Sequence, residues 1–429
     1  MKKKAWVISI NMGYGHQRTA YALKDLAVRK KIINANDYKE IPSKDRVIWE
    51  SSRKFYEFVS RFKKAPIIGN LIFSLFDKTQ KINDFYPKKD ESACGFNHKG
   101  TYSLFEKDWG KDLIKRLSSK DKRPFVSTFF TPAFMAEELK YPGDIYCVVC
   151  DADISRSWAP LKPKKSKIKY FAPNKRTVER LRSYGVKKEN VFLTGYPLPM
   201  ENIGKNREIL KEDVKKRIIN LDPLGNYRRH YKGLIKEKLG TLPLKSDHPL
   251  TIMFAVGGAG AQKEIGVEVL RQLRNNLVNK EIKIILVAGI KENIKEYFER
   301  EIKKLNISEF VKETKLVEII YEKDFGKYFD SFNKALRKTD ILWTKPSELS
   351  FYSALGLPII IAPTIGSQEE FNRHWLLRNG FGIEQENIEY TKEWLFDLLK
   401  DGQLAEIAME GFVEGEQMGV LKIKKIIEK

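Results

Sequence analysis

Cysteine is scarce, with three in 429 residues. An odd, sparse set excludes a disulfide framework and fits a reducing compartment, so a cytoplasmic protein is expected. Long apolar runs are missing too. The longest candidate for a membrane span, Ile67–Phe76, reaches about half of the ~20 residues that a crossing helix needs. The basic start at Met1–Lys4 leads into an apolar run too short for a signal peptide. The expectation is a protein that can touch a membrane surface but does not span the bilayer. No repeat with a period of 20–50 residues and no low-complexity tract is evident.

What is present is a large globular chain. An apolar fraction of 42% can bury enough surface to offset the entropy of ordering, which excludes intrinsic disorder. The length suggests roughly two or three domains. Lys and Arg number 79 against 56 Asp and Glu, a net charge of +23 that should attract polyanions, anionic lipid headgroups or phosphorylated ligands. The basic residues are spread out and no RNA- or DNA-binding motif accompanies them, so no specific nucleic-acid partner is expected.

Short β-branched or aromatic runs alternate with longer charged, helix-period segments, the pattern of βα units and a parallel sheet. Two such series occur. One holds Trp6–Ile10, Phe125–Phe129, Ile145–Val149, Tyr170–Ala172 and Val191–Thr194; the other holds Ile252–Val256, Ile282–Val287, Ile341–Trp343 and Pro358–Ala362. This places a first domain over 1–199, a linker and helical region over 200–248, a second domain over 249–390 and C-terminal helices over 391–429. An insertion at about 45–80 interrupts the first domain.

The first strand runs into Asn11-Met-Gly-Tyr-Gly-His16, and Ala20, Leu23 and Ala27 then recur at helical spacing. A strand, glycine turn and helix in that order aims backbone N–H groups at whatever lies above the sheet edge. Position 18 is Arg18 where the dinucleotide fingerprint needs a third glycine, which disfavours an NAD site. Gly13 and Gly15 shape the turn. His16 follows it at the carboxyl edge of the sheet, placed to take a proton from a hydroxyl or, more plainly, to cap its helix.

A second turn, Gly257-Gly258-Ala259-Gly260, precedes a helical pattern beginning near Gln262 and suits a diphosphate. Cys147 and Cys150 sit three apart in an apolar run. On a strand they would face opposite sides, which fits buried thiols and neither chelation nor thiol exchange. Asp151-Ala152-Asp153 follows; one aspartate orienting a histidine is preferred there to a metal site. No metal and no cofactor are expected. Arg53–Lys64 puts Phe55, Phe58, Val59 and Phe62 on one helical face, with Arg53, Lys54, Arg61 and Lys64 largely opposite. That fits a helix at an anionic membrane interface or an aromatic stripe in the core. From Leu161 to Lys188 eleven basic residues meet one acidic, Glu179, as a solvated face would.

With these residues assembled, most of the chain resembles glycosyltransferases of the GT-B fold, in the group of monogalactosyldiacylglycerol synthases and processive diacylglycerol glucosyltransferases. Met12-Gly-Tyr-Gly-His16 with Ala20 is similar to the family's opening motif, and Asp151 with Trp158 to its Asp-to-Trp stretch. Tyr184-Gly-Val186 and Thr194-Gly-Tyr-Pro197 resemble the end of its N-terminal domain. Thr344-Lys-Pro346, Ala354-Leu-Gly-Leu-Pro358 and Gln368-Glu-Glu-Phe-Asn372 resemble its donor-binding block in order and spacing. The resemblance implies two Rossmann-like α/β domains facing across a cleft. It also implies inverting, metal-independent transfer of a sugar from a nucleotide diphosphate, such as a UDP-sugar, to a lipid-linked hydroxyl at the inner face of a membrane. His16 would be the base with Asp151 as its orienter, and Gly13, Gly15 and Trp158 would lie on the acceptor side. Gly257, Gly258, Gly260, Lys345, Ser347, Glu348, Gln368, Glu369 and Asn372 would hold the donor.

Two positions depart from the family pattern. Ser347 and Glu348 stand where two glycines are usual, and Ser353 stands where a glutamate usually holds the ribose. Glu348 could take the ribose hydroxyls in its place, whereas aimed at the diphosphate it would repel it. A sugar-nucleotide 2-epimerase and a catalytically silent binder of sugar nucleotides or nucleic acid remain rival readings.

Overall fold

The computed structural model describes residues 3–51, 82–93, 96–118, 122–255, 257, 260 and 262–429. Arg53, Phe55, Phe58, Phe62 and Lys64, the apolar run Ile67–Phe76, and Gly258 lie outside the described residues. The chain forms two compact units. The first comprises Met1–Pro197, Ile365–Asn372 and Met418–Lys429, the second Leu198–Thr364 and Arg373–Gln417.

The first unit is built on β1 (Ala5–Ser9), β2 (Ala27–Asn34), β3 (Phe125–Ser127), β4 (Ile145–Val148), β5 (Lys169–Ala172) and β6 (Val191–Leu193). They pair in parallel in the order β2-β1-β3-β4-β5-β6. β1, β3 and β4 are buried along their whole length, as parallel strands covered on both faces must be. The helix α1 (Tyr14–Ala22) links β1 to β2, and α2 (Lys175–Ser183) links β5 to β6.

The second unit contains α3 (Glu208–Leu221) and then β7 (Leu250–Ala255), α4 (Lys263–Gln272), β8 (Ile282–Gly289), β9 (Val317–Tyr321), β10 (Ile341–Thr344), β11 (Ile359–Ile361) and β12 (Gly382–Glu384). Its order is β12-β11-β10-β7-β8-β9, again all parallel. Two further helices, α5 (Ser367–Arg378) and α6 (Gly419–Glu428), complete the elements that matter below. Among the described residues no helix is long and apolar enough to cross a membrane.

The structure departs from the sequence pattern at several places. Ala27 does not continue the first helix. After Ala22 the chain turns, with Leu26 N–H donating to the Leu23 carbonyl, and Ala27 opens β2 opposite Ala5. Ala20, Leu23 and Ala27 still share one core cluster, so the apolar spacing was met by a turn and a strand instead of a helix. Residues 200–248, expected as a linker and helical region, group with the second unit. Arg217 on α3 is buried and donates to the carbonyls of Thr339 (2.8 Å), Leu355 (2.6 Å) and Leu336 (3.3 Å), which ties this region into the second unit. Residues 391–429 divide as well. Thr391–Gln417 stays with the second unit, while Ile423 and Ile427 of α6 enter the first unit's core beside Val7, Val126 and Phe171. The basic stretch Leu161–Lys188 is not wholly a solvated face either, because Arg180 is buried within it.

Candidate functional site

Ligands of open parallel sheets bind beyond the carboxyl ends of the strands, where the strand order reverses direction. In the first unit that switch point lies between β1 and β3; in the second it lies between β7 and β10. The turns singled out in the sequence leave β1 and β7.

At the first switch point Gly13 has φ of 109° and occupies the N-cap position of α1, with no side-chain cap. A Cβ there would meet nothing within 4 Å, so the requirement for glycine is conformational, not steric. The uncapped amide end of α1 therefore faces outward at the sheet edge. His16, half-buried on the first turn, places Nδ1 2.8 Å from the carbonyl oxygen of Thr128, just past β3. The Thr128 hydroxyl in turn donates to the His16 carbonyl at 3.0 Å. A carbonyl can only accept, so Nδ1 carries the proton and Nε2 is the basic nitrogen of the neutral ring. The Phe129 ring packs edge-on with the imidazole, centroids 4.8 Å apart, and Trp158 lies at 6.3 Å, 2% exposed.

The group that holds the Nδ1 proton is thus a backbone carbonyl. The Cys150 sulfur lies 3.3 Å from Nδ1 and 4.0 Å from Oδ2 of Asp151, so Asp151 stands one step behind the ring. Cys150 does not share a strand with Cys147. β4 stops at Val148, and this puts Cys150 in the exit loop beside the histidine while Cys147 stays in the sheet. Burial pushes the Cys147 thiol pKa up, as befits an inert core group. Asp153 points elsewhere: both its oxygens are held by Arg180, at 2.9 and 3.0 Å. Among the described residues no group of three or more His, Cys, Asp or Glu could hold a metal ion.

At the second switch point Gly257 follows β7 and Lys345 follows β10. A Cβ on Gly257 would lie 2.4 Å from Cε and 3.3 Å from Nζ of Lys345, so the lysine side chain lies across the glycine backbone. The Gly260 amide closes the turn by donating to the Gly257 carbonyl at 2.7 Å. A lysine laid over a glycine turn that opens a helix is an arrangement suited to diphosphate oxygens. Ser347 and Glu348 continue from Lys345; the Ser347 hydroxyl accepts from Leu349 N–H, and Glu348 is buried at the start of a 3-10 helix. The Ser353 hydroxyl is committed to the Ser350 carbonyl at 2.8 Å.

Three of the residues expected to hold the donor are grouped differently. Gln368, Glu369 and Asn372 belong to the segment of α5 that clusters with the first unit. The Asn372 carboxamide accepts from Ala152 N–H at 2.8 Å and donates to Asp151 at 3.4 Å, and Glu369 accepts from Ile365 N–H at 2.7 Å. Asn372 is therefore employed in fixing the loop that carries Asp151. Thr128 and Cys150 are the residues that sequence reasoning missed.

Gly257→Ala is expected to leave folding nearly intact, because only the far end of a flexible lysine must move. Affinity for diphosphate should fall about tenfold, the usual scale for displacing one charge-assisted hydrogen bond. Titration calorimetry with a nucleoside diphosphate, beside a thermal melt, checks both halves; unchanged affinity would separate this turn from phosphate binding.

A family model described as a domain of unknown function, DUF6938, matches residues 243–422. No curated protein matches in sequence. Among solved structures, MurG of Acinetobacter baumannii is 13% identical, with a TM-score of 0.50 and 99% of each chain covered. The MnaA–UDP complex of Staphylococcus aureus is 13% identical, with a TM-score of 0.46 over 99% of this chain and 95% of that one. A putative UDP-N-acetylglucosamine 2-epimerase of Listeria monocytogenes is 12% identical, with a TM-score of 0.49 over 98% and 94%. The comparisons do not single out the diacylglycerol glycosyltransferases. The end-to-end likeness to MurG, joined to the two parallel six-stranded sheets, shows that this chain has the GT-B fold.

Proposed function

We propose that the protein is an inverting glycosyltransferase that moves a sugar from a nucleotide diphosphate, a UDP-sugar, to a hydroxyl of a lipid or lipid-linked acceptor. The observation that carries this reading is His16 at the β1/β3 switch point, its Nδ1 proton held by the Thr128 carbonyl so that Nε2 is the base.

In the reaction, Nε2 takes the proton of the acceptor hydroxyl as its oxygen attacks the anomeric carbon. The bond from that carbon to the diphosphate oxygen breaks on the opposite face, and the configuration inverts. The imidazolium so formed is offset by Asp151, one step away through Cys150. The negative charge on the leaving diphosphate falls to Lys345 and the Gly257–Gly260 turn, which stabilise charge where it develops. Glu348 serves the donor ribose hydroxyls in place of the glutamate missing at Ser353. The nucleotide sugar is a substrate, and no metal takes part. The lipid side of the reading is supported by sequence alone, by the aromatic and basic faces of Arg53–Lys64, and it places the enzyme in the cytoplasm at the inner membrane surface.

The test is a panel of nucleotide sugars in a thermal melt, followed by turnover assays with and without lipid acceptor in mixed vesicles. A ligand that binds only the native state raises the melting temperature with its concentration over its Kd. Glycolipid and UDP formed only with acceptor present is the expected result. A 2-epimerised sugar appearing without acceptor would replace the reading with an epimerase, and binding without any turnover would replace it with a silent binder.

A further inference from the structure

Beside the first turn lies a cavity of about 160 Å³ lined by Asn11, Asn36, Asp37, Arg46, Trp49 and Glu50. Its floor is tied down, since Asn11 N–H donates to the Asn36 side-chain oxygen at 2.8 Å and the Asn36 amide returns a bond to the Asn11 carbonyl at 3.3 Å. Asn11 lies just past β1, on the stretch that leads through Gly13 to His16, and Asn36 just past β2. One wall is Trp49, 4% exposed and braced against Trp109 with ring centroids 4.9 Å apart. Asp37, Arg46 and Glu50 line the opening as exposed side chains.

The chemistry of this lining runs against that of the rest of the molecule. In a chain of net charge +23, two carboxylates outnumber one guanidinium here, and the remaining polar groups are two carboxamides. Such a site offers acceptors and donors together, the pattern that satisfies vicinal hydroxyls, and its excess of carboxylate disfavours phosphate. That space is far larger than the ~10–15 Å³ that a single water needs, and it can take a small polyol. We infer that this cavity binds the uncharged, hydroxyl-rich part of the acceptor, a sugar ring or glycerol unit, and so fixes which hydroxyl reaches His16. The inference rests on the transfer reading above for the word acceptor. The binding chemistry itself does not depend on it.

Ligand-observed NMR without any donor, using methyl glucoside, glycerol and inorganic phosphate as probes, tests the cavity directly. One or both neutral probes should bind, the glucoside marking a sugar headgroup and glycerol a lipid backbone, and phosphate should not. Asp37→Asn combined with Glu50→Gln should weaken the neutral probe about tenfold, the scale of hydrogen bonds to charged groups. Both side chains are exposed, so the melting temperature should hold. In turnover assays the same variant should raise the acceptor KM by a similar factor, with kcat and the donor KM unchanged. Phosphate binding more tightly than either neutral probe, no neutral probe binding at all, or a variant with unaltered probe affinity would overturn the inference. Probe binding that the variant abolishes, in a protein without transferase activity, would uphold the cavity and remove the transfer reading alone.

Discussion

His16→Ala is expected to slow sugar transfer by about 10²–10⁴-fold, the range for loss of a general base, while affinity for the nucleotide sugar changes little. The imidazole makes its identified contacts within the first unit: Nδ1 to the Thr128 carbonyl, the ring with Phe129, and the Cys150 sulfur close by. Gly257 and Lys345, proposed above to hold the diphosphate, belong to the second unit. A group that acts on the acceptor proton in the transition state should therefore reduce kcat and kcat/KM together and leave the donor Kd alone. The α1 turn itself is set by the positive φ of Gly13, so truncation at His16 removes the base without removing the turn. Single-turnover rates with saturating donor, beside calorimetric titration of the same variant, give the two numbers needed. A variant that transfers at the parental rate would dismiss His16 as the base and leave it as a helix-terminal residue bonded to Thr128.

The interior of both sheets was legible because strands such as β1, β4, β7 and β10 are buried on both faces and read as continuous apolar runs. The strands that escaped notice, β2, β9 and β12, all lie at sheet edges. β2 carries Arg29, Lys30 and Lys31 toward solvent, with positive φ at Arg29 and Lys30, and β12 is only three residues long. Charge is one way edges avoid further pairing, and in β2 it also erases the apolar signal. The candidate site was legible to the same extent. Glycine turns and a histidine leave a trace in sequence, whereas the group that orients His16 is a backbone carbonyl 112 positions away, for which side-chain chemistry gives no sign. Asn372 shows the same limit: its motif resembles a donor block, and no sign in the sequence tells that its carboxamide also bonds Ala152 and Asp151.

Arg180→Ala should cost the first unit about 3–5 kcal/mol, the usual cost of removing one partner from a buried ion pair. Arg180 sits on α2, its side chain 2% exposed, and grips Asp153 with a two-pronged contact, Nε to Oδ1 at 2.9 Å and Nη2 to Oδ2 at 3.0 Å. A second carboxylate, Glu91, meets Nη1 at 3.2 Å, and the Asn83 carbonyl accepts from Nη2 at 2.8 Å. Asp153 is 4% and Glu91 8% exposed, so alanine would strand two carboxylates away from water. The melting transition of this unit should fall by on the order of 10 °C. Arg180→Lys, which keeps the charge but loses the planar fork, should fall between the parent and the alanine variant. The measurement also decides the role of the Asp151-Ala152-Asp153 motif. Asp153 held by Arg180 is drawn away from metal binding, which leaves Asp151 for the chemistry proposed near His16. A loss below about 1 kcal/mol, the level of an exposed pair, would mean that Arg180 does not hold Asp153 firmly, and both aspartates would again be open to a divalent ion.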